Sequence, residues 1–466
     1  MTQAIDQTAS DFMEDQDVED YALNKRVVAG ILYALEAADR ATLLELMEPL
    51  HPADIADLME QINPFDRRRL VQLYGAEFDG EILSELDEGL REEVMNILRP
   101  DVLAEAVREL ESDDIVDLVE DLDEPAQEAI LDQLEDADRV AVEQALSYPE
   151  NTAGRLMQRE TVCAPEHWSV GEAIDFLRNA EELPEQFYHV ILVDPRMKPV
   201  GNITLGKLMS SRRTLPLQSI VEEVFQVIPV TQDEEDVAYA FNQYHLISAP
   251  VVDADERLVG VITIDDAMAV LDEEHEEDIL RLAGVSDEAS LSDTILDAAK
   301  GRATWLFVNL LTAILASGVI NLFADTVDQM VALAVLMPIV ASMGGNAGTQ
   351  TMTVTVRALA TKDLTAQNAW RVIRRELSVG ALNGALFGFI MALVAGLWFG
   401  VPMLAVVIGV AMLLTQIAAA LGGILIPMAL DRANIDPALA SGPFVTTVTD
   451  VVGFFLFLGL AARVLL

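Results

Sequence analysis

The stretch that decides the fold is Asp436-Pro-Ala-Leu-Ala-Ser-Gly-Pro-Phe-Val-Thr-Thr-Val-Thr-Asp450-Val-Val-Gly453, which leads into the last hydrophobic run of the chain. From Phe444 onward this run is long and apolar enough to cross a bilayer, yet it contains the carboxylate of Asp450. A charge in hydrocarbon costs about 3 to more than 10 kcal/mol, so it normally faces a water path or an ion. Two helix breakers, Gly442 and Pro443, precede it. The stretch predicts an ion-conducting element; the alternative is a buried carboxylate that is hydrogen-bonded to Thr or Asn.

Four further hydrophobic segments precede this one, and the five cover about residues 304–323, 330–356, 377–400, 403–430 and 444–466. Twenty helical residues span about 30 Å, the thickness of the hydrocarbon layer, so each segment predicts a transmembrane helix. Basic residues lie before the first segment, between the second and third, and between the fourth and fifth: Lys300, Arg302, Arg357, Lys362, Arg371, Arg374, Arg375 and Arg432. Because cytoplasmic loops are rich in Lys and Arg, we expect a plasma (inner) membrane protein with a cytoplasmic N-terminus and an external C-terminus. Arg463 is the exception.

The net charge of −48 is confined to the part of the chain before the hydrophobic segments. Residues 301–466 contain seven acidic and eight basic side chains, so the first 300 residues form an acidic, soluble part. Nucleic acid is excluded as a partner because its phosphates would be repelled. Dense carboxylates favour hard cations such as Mg²⁺ or Ca²⁺. The N-terminus lacks the features of a signal peptide, and the single cysteine, Cys163, allows no intramolecular disulfide.

The first half of the acidic part has a helical pattern. Residues 1–20 are polar and acidic, and we expect them to be flexible, whereas residues 21–150 carry apolar side chains at helical spacing. Residues 81–98 align with residues 117–134 at a spacing of 36 residues, and residues 57–65 form a looser copy. Each copy predicts two helices joined by a tight turn at Asn63-Pro64, Glu88-Gly89 or Glu124-Pro125. The repeat indicates a superhelical N domain that docks on another surface.

Residues 151–271 contain two similar units of another kind. Residues 189–204 match residues 249–263, with Gly201 and Gly260 59 residues apart. Each half predicts two strands and a helix, preceded by an amphipathic helix, and this β-α-β-β-α order resembles a tandem pair of CBS domains, an α+β fold. The resemblance implies an adenine nucleotide such as ATP at Thr263 and Asp266. The alternative is that these two residues only cap the following helix.

Residues 272–300 predict a long connecting helix with acids crowded into its first turns. Glu274, Glu277 and Asp278 lie on one helical face. Like charges at this spacing destabilise a helix by a few tenths of a kcal/mol each, and bound cations would relieve that cost. The alternative is that acids near a helix N-terminus suit the helix dipole, which explains some of the run but not its length.

The hydrophobic segments also limit the chemistry. None contains His or Cys, which argues against zinc-dependent intramembrane proteolysis and against Zn²⁺ or Cu²⁺ as substrate, and no catalytic constellation is present, so an enzyme is not expected. The second segment contains Met343-Gly-Gly-Asn-Ala-Gly-Thr-Gln350, where glycines line a cavity or let helices pack closely. We expect the pore to be lined by Gly344, Gly345, Asn346, Thr446 and Thr447, with close packing as the alternative for Gly345 and Gly348.

Taken together, these motifs resemble the MgtE family of bacterial magnesium channels and transporters, over nearly the whole chain after residue 20. The family implies a multidomain membrane protein with a superhelical N domain, a CBS pair, a plug helix and a five-helix transmembrane domain. It implies a homodimer with its pore between the subunits, and Asp450 as the pore aspartate. Metal-binding positions carried over from the family are the plug acids Glu274, Glu277 and Asp278, their partner Asp436, the CBS acids Asp265 and Asp266, and the N-domain acids Glu81, Asp113 and Asp117. Ala269, Gly442 and Thr446 depart from the residues of relatives.

The resulting hypothesis is Mg²⁺ influx through a dimeric pore in the lipid bilayer, closed by intracellular Mg²⁺ at the acidic cytosolic sites. One alternative is a secondary transporter of divalent cations such as Mg²⁺ and Co²⁺ that is coupled to Na⁺ or H⁺. Another is a nucleotide-sensing membrane receptor that moves no ion.

Overall fold

The structure is a computed structural model. It describes residues 23–120, 122, 124–180, 183–184, 186–285 and 295–465. The N-terminal segment expected to be flexible, residues 1–20, and residues 286–294 of the expected connecting helix lie outside these ranges. The chain divides into two compact units, Met1–Leu271 and Asp272–Leu466.

The first unit begins with a superhelical array of short helices around one apolar core. The helices are α1 (Lys25–Ala37), α2 (Arg40–Met47), α3 (Pro52–Gln61), α4 (Pro64–Tyr74), α5 (Glu81–Ser84), α6 (Glu88–Ile97), α7 (Pro100–Glu109), α8 (Ser112–Glu120), α9 (Glu124–Leu131) and α10 (Asp136–Leu146). A 3₁₀ turn, Gly75–Glu77, follows α4. The predicted helical N domain is therefore present.

The turns within the repeat lie slightly earlier than expected. Glu88-Gly89 and Glu124-Pro125 are the first residues of α6 and α9, so they begin the second helix of each copy and the turn precedes them. The reason is chemical: proline and acidic residues suit the first turn of a helix, where N–H groups have no intrahelical partner. Asn63-Pro64 follows the same rule, because the Asn63 side chain accepts hydrogen bonds from the first N–H groups of α4.

The CBS pair consists of two matching three-stranded sheets. Its elements are α11 (Ala153–Leu156), β1 (Cys163–Pro165), α12 (Val170–Asn179), β2 (His189–Val193), β3 (Pro199–Thr204), α13 (Leu205–Ser210), the 3₁₀ turn Leu217–Ile220, β4 (Ile228–Pro229), α14 (Glu234–Tyr244), β5 (Ser248–Val252) and β6 (Leu258–Thr263). In each sheet the first strand is parallel to the second, which is antiparallel to the third. His189 lies opposite Thr204, and Ser248 lies opposite Thr263, so the registers of the two halves correspond.

The acidic helix differs from the expectation of a separate element at residues 272–300. Helix α15 (Ile264–Ala283) begins directly after β6, so the last helix of the CBS pair and the acidic helix are one element. It ends at Ala283, because Gly284 adopts a φ of +71°, a left-handed conformation that interrupts a helix and favours glycine. We call residues 272–283 the acidic segment.

The second unit continues with α16 (Ile295–Leu322), α17 (Ala324–Gln329), α18 (Val331–Ala360), α19 (Ala369–Phe399), α20 (Pro402–Arg432) and α21 (Pro437–Val464). Five of these helices are long and apolar enough to cross a membrane. Each extends beyond its predicted hydrophobic segment at one end or, for α20, at both, because polar residues at the helix ends continue the helical conformation. The glycines at positions 344, 345 and 348 and the expected breakers Gly442 and Pro443 lie within continuous helices.

Small residues set the spacing of the membrane helices. Gly380, Gly384 and Gly388 repeat every four residues on α19, and their faces meet α20. A Cβ atom added at Gly388 would lie 2.5 Å from the carbonyl oxygen of Gly409. Lipid offers no hydrophobic drive for helix association, so close backbone contact of this kind supplies the packing energy.

Candidate functional site

Asp450 is half-buried in α21, in the middle of an apolar helix. Two neighbouring threonines direct their hydroxyl groups elsewhere: the Thr447 hydroxyl donates to the carbonyl oxygen of Pro443 at 2.6 Å, and the Thr449 hydroxyl donates to that of Thr446 at 3.0 Å. The geometry therefore disfavours hydrogen bonding of the carboxylate to Thr447 or Thr449. A carboxylate within a membrane helix normally faces a water path or an ion.

The helix face beside Asp450 is packed against two other helices. Thr449 is fully buried, and a Cβ atom on Gly348 would lie 3.0 Å from its Cγ2 atom. A Cβ atom on Gly423 would lie 2.6 Å from the carbonyl oxygen of Gly348. These contacts hold α18, α20 and α21 together one residue away from the pore aspartate proposed from the sequence.

The residues expected to line the pore fall into two groups. Gly344 is buried, and a Cβ atom there would lie 2.9 Å from Cγ2 of Thr415, so this glycine packs against α20 within the protomer. Gly345 is half-buried with open space beside it, and Asn346 is exposed, so a second surface of α18 remains accessible in the protomer. Thr446 and Thr447 are half-buried on α21.

Asp436 lies at the start of α21 and joins two roles. Its Oδ1 atom accepts a hydrogen bond from the backbone N–H of Ala438 at 2.7 Å, which caps the helix. Its Oδ2 atom lies 2.9 Å from Nη1 of Arg281. Arg281 is not among the site residues predicted from the sequence, although its position one turn after Glu277 on the acidic segment could have indicated an ion pair.

The acidic segment presents its predicted metal-binding residues on one side. Glu274, Glu277 and Asp278 are half-buried, whereas Glu273 and Glu276 are exposed. Burial, and next the carboxylate of Asp436, raise the pKa of Asp278, while Arg281 counteracts them. Asp278 and Asp436 are thus close enough to repel each other when both are ionised.

A second acidic cluster lies within the first unit, where helix α8 faces the start of α15. Burial raises the pKa of Asp113 well above its ordinary value, and the next cause is the carboxylate of Asp266. Burial and then Asp266 also raise the pKa of Asp114 to about 6. Burial and then Glu160 raise the pKa of Glu111 to about 7. The carboxylates therefore crowd one another without enough compensating positive charge.

This cluster differs in membership from the expected set. Asp113 and Asp266 were predicted from the sequence and belong to it. Glu111, Asp114 and Glu160 also belong to it, and none of these three was predicted. The signal was present in the run of four acids at Glu109, Glu111, Asp113 and Asp114, but sequence alone did not show which of them face inward. Asp117 lies at the edge, paired with Arg91 at 2.7 Å, and Glu81 and Asp265 are exposed.

Oxygen-rich crowding of this kind suits a hard cation, which would relieve the repulsion between buried carboxylates. In the described ranges, however, no three Asp, Glu, His or Cys side chains already stand in a metal-binding arrangement. The donor set fits Mg²⁺, which keeps several of its waters and needs only one or two direct carboxylates.

The nucleotide expectation rests on Thr263 and Asp266. The Thr263 hydroxyl donates to Oδ2 of Asp266 at 2.6 Å, and the Thr263 N–H donates to the same atom at 3.1 Å, as in a helix cap. A small cleft nearby is lined by both halves of the CBS pair, including Tyr188, His189, Ser248 and Thr263. Across it, Nδ1 of His189 lies 2.7 Å from Oγ of Ser248, and burial lowers the pKa of His189.

Comparison with known proteins agrees with this architecture. The family model described as a divalent cation transporter, MgtE, matches residues 337–460; the MgtE intracellular N domain matches residues 50–151; and the CBS domain matches residues 153–213 and 219–273. The structure of the cytosolic domain of the Mg²⁺ channel MgtE in complex with ATP is 30% identical, with a TM-score of 0.49, and the match covers 52% of this chain and 99% of that one.

Curated relatives match over most of their length. The magnesium transporter MgtE of Enterococcus faecalis is 35% identical over 69% of this chain and 71% of that protein. The magnesium transporter MgtE of Thermus thermophilus is 34% identical over 70% of this chain and 72% of that protein. The magnesium transporter MgtE of Bacillus subtilis is 28% identical over 82% of this chain and 84% of that protein. The chain therefore belongs to the MgtE family of magnesium transporters.

Proposed function

We propose that this transporter conducts Mg²⁺ into the cytoplasm down its electrochemical gradient, through a path in which Asp450 binds the ion. The observation that carries the proposal is the half-buried Asp450 in a membrane helix in which Thr447 and Thr449 donate to backbone carbonyls instead. A partly hydrated Mg²⁺ needs few direct protein ligands, so a single carboxylate from each subunit suits it.

The pore is proposed to form between two copies of the chain. Gly345 and Asn346 leave an accessible surface on α18, and α16 exposes most of its apolar side chains, among them Leu306, Leu310 and Ile314. A two-fold axis would bring two Asp450 carboxylates to one site. Two carboxylates bind a divalent cation better than one, because their combined charge matches that of the ion.

Intracellular Mg²⁺ is proposed to close this pore. The cluster of Glu111, Asp113, Asp114 and Asp266 supports the proposal, because its crowded carboxylates would be stabilised together by a cation. The residues of the acidic segment, with Asp436, form a second set of the same chemistry. At low Mg²⁺ both sets repel themselves; bound Mg²⁺ converts the repulsion into attraction and favours closure.

An adenine nucleotide, ATP, remains a proposed ligand of the CBS cleft. The cleft residues Tyr188 and Thr263 support it, and the bonds from Thr263 to Asp266 equally suit a helix cap. Binding of fluorescent ATP to the full-length protein, with Tyr188→Ala as the comparison, distinguishes a nucleotide site from a helix cap. A cap alone predicts no binding in either protein.

The proposed domain division places the helical N domain at residues 21–150, the CBS pair at residues 151–271 and the membrane domain at residues 301–466. The proposed location is the inner membrane, with the N-terminus inside and the C-terminus outside. The basic residues at the ends of α18, α19 and α20 support this orientation. Protease protection of tags at the two termini in sealed vesicles tests it.

The function is tested by metal-selective flux into liposomes containing the purified protein. We expect Mg²⁺ uptake that falls as Mg²⁺ is raised on the cytoplasmic side. Uptake that follows an imposed Na⁺ or H⁺ gradient would instead support the coupled transporter. Uptake that is insensitive to cytoplasmic Mg²⁺ contradicts the proposed gating.

A further inference from the structure

Arg281 lies between two carboxylates that come from distant parts of the chain. Its Nη2 atom is 2.8 Å from Oε2 of Glu277, one helical turn earlier. Its Nη1 atom is 2.9 Å from Oδ2 of Asp436, 155 residues later. The guanidinium thus joins the acidic segment to the start of the last membrane helix.

The ion pair with Asp436 is well defined on both sides. Oδ1 of Asp436 accepts the capping hydrogen bond from Ala438, which leaves Oδ2 for Arg281. The Arg281 side chain is only 22% exposed, so solvent screens its charge incompletely. A guanidinium in this position supplies the positive charge that a divalent cation shared by Glu277 and Asp436 would otherwise supply.

The next residue anchors the same helical turn by apolar contact. Leu282 packs against a cluster formed by Met352 of α18 and by Ala438 and Val445 of α21, with Ile426 of α20 beside it. The end of the acidic segment is therefore held to the membrane helices by one ionic and one hydrophobic contact.

We infer that Arg281 is a built-in cation of the gate: it compensates Glu277 and Asp436, favours docking of the acidic segment together with Mg²⁺, and so lowers the Mg²⁺ concentration at which the pore closes. This inference rests on the proposed function, in which the acidic segment closes the pore. According to this inference, a side chain of the protein stabilises the closed state in addition to bound Mg²⁺.

The carboxylates around Arg281 explain why its removal should raise the Mg²⁺ concentration that closes the pore. Glu277, Asp278 and Asp436 are three carboxylates within one local region, and Arg281 is the cation placed among them. Without the guanidinium their repulsion would act against docking of the acidic segment. More Mg²⁺ would then be needed to reach the closed state.

The test measures Mg²⁺ uptake by liposomes containing the full-length protein, at cytoplasmic Mg²⁺ concentrations from micromolar to about 20 mM. For Arg281→Gln we expect uptake at low Mg²⁺ to rise about three- to tenfold, the range that corresponds to loss of a partly buried ion pair, and the inhibitory midpoint to move to higher Mg²⁺. Arg281→Lys keeps the charge but cannot hold both acids at once, so it should be intermediate.

Arg432→Gln is the matched control, since it removes the same charge four residues before Asp436 from an exposed side chain. It should behave like the wild type. If Arg281→Gln does not assemble, as judged by gel filtration, Arg281→Met takes its place and keeps the aliphatic chain. If the inhibitory Mg²⁺ midpoint of Arg281→Met is higher than that of Arg281→Lys, the lost charge is the cause of the shift.

The outcomes separate the inference from the function on which it rests. A wild type that cytoplasmic Mg²⁺ does not inhibit contradicts the proposed gating itself. A normally inhibited wild type together with an unchanged Arg281→Gln midpoint overturns the role of Arg281. A midpoint at lower Mg²⁺ overturns it as well, because Arg281 would then only compete with the metal.

Discussion

Thr449 on α21 packs against Gly348 on α18 so closely that a side chain at Gly348 has no room: its Cβ atom would lie 3.0 Å from Cγ2 of Thr449. The same added Cβ atom would lie closer still, 2.7 Å, to Cγ1 of Val445. The residue after Thr449 is Asp450. The position of the proposed pore aspartate therefore depends on a glycine contact between two membrane helices.

Alanine at Gly348 or Gly423 should destabilise the membrane domain. A Cβ atom at Gly423 would lie 2.6 Å from a backbone oxygen, which cannot move as a flexible side chain could. We expect a loss of about 1 to 3 kcal/mol for each substitution, measured as a lower midpoint of thermal unfolding in detergent. Gly318→Ala is the control, because nothing lies within 4 Å of a Cβ atom there. Equal unfolding midpoints for all three variants would contradict the packing role.

Asp450→Asn should abolish most of the Mg²⁺ uptake while leaving the protein folded. The substitution keeps the shape of the side chain but removes the charge that attracts a divalent cation into a low-dielectric path. We expect uptake to fall at least about tenfold, which corresponds to the loss of one charged ligand. Asp325→Asn, which lies on the short helix α17, should leave uptake unchanged. Wild-type uptake by Asp450→Asn would remove Asp450 from the ion path.

Mg²⁺ binding to the cytosolic acids should strengthen as pH rises. The pKa of Glu111 is raised from 4.5 to about 7 and that of Asp114 from 3.8 to about 6, both mainly by burial. Because raised carboxyl pKa values favour the protonated form, the charge repulsion is absent below about pH 4 and complete above about pH 7. Without Mg²⁺ the cluster thus becomes less stable as pH rises through this window, and Mg²⁺ must displace protons within it.

Titration calorimetry of the full-length protein checks this dependence. Between about pH 5.5 and pH 7.5 we expect the Mg²⁺ affinity to rise about tenfold, with proton release seen as a heat that depends on the ionisation enthalpy of the buffer. Glu111→Gln should reduce the proton release, because the pKa of that carboxyl, about 7, makes it titrate near neutral pH. An affinity that does not change with pH would count against a Mg²⁺ site at this cluster.

Arg67 should be essential for the stability of the N domain. Its side chain is buried, its Nε atom donates to the carbonyl oxygen of Met59 at 2.8 Å, and its guanidinium pairs with Glu93. Arg67→Gln leaves these groups unpaired, at a cost of about 2 to 4 kcal/mol. Hydrogen exchange of peptides covering residues 55–98 should accelerate accordingly. Arg68→Gln, an exposed site with the same charge loss, should exchange like the wild type.

Much of this molecule follows from its sequence because the relevant signals are local. The five hydrophobic segments, the two helical copies 36 residues apart and the matching CBS units all depend on spacing along the chain. The amphipathic helix predicted before each CBS unit is present, as Val170–Asn179 and as Glu234–Tyr244, because N-cap residues and the apolar period mark both helices in the sequence. The position of Asp450 in a membrane helix could also be predicted, because it depends only on the hydrophobicity of the residues around it.

Other features were decided by tertiary structure. Gly344 and Gly345 are neighbours of identical chemistry, yet one is buried against Thr415 and the other faces open space, because the helix turns about 100° between them. The sequence does not distinguish Glu111 and Asp114 from the surrounding acids. Their burial near Asp266, which raises their pKa values, is visible only in the structure. Arg281 and Asp436 are 155 residues apart, and no local pattern relates them.

The sequence by itself thus determined which segments are helices, which cross the membrane and where negative charge accumulates. The packing of distant segments settled which carboxylates repel one another, and it brought Asp436 to Arg281 beside Glu277. The physical reason is that hydrophobicity and helical period act over a few residues of chain, whereas ion pairing and burial depend on distances in space.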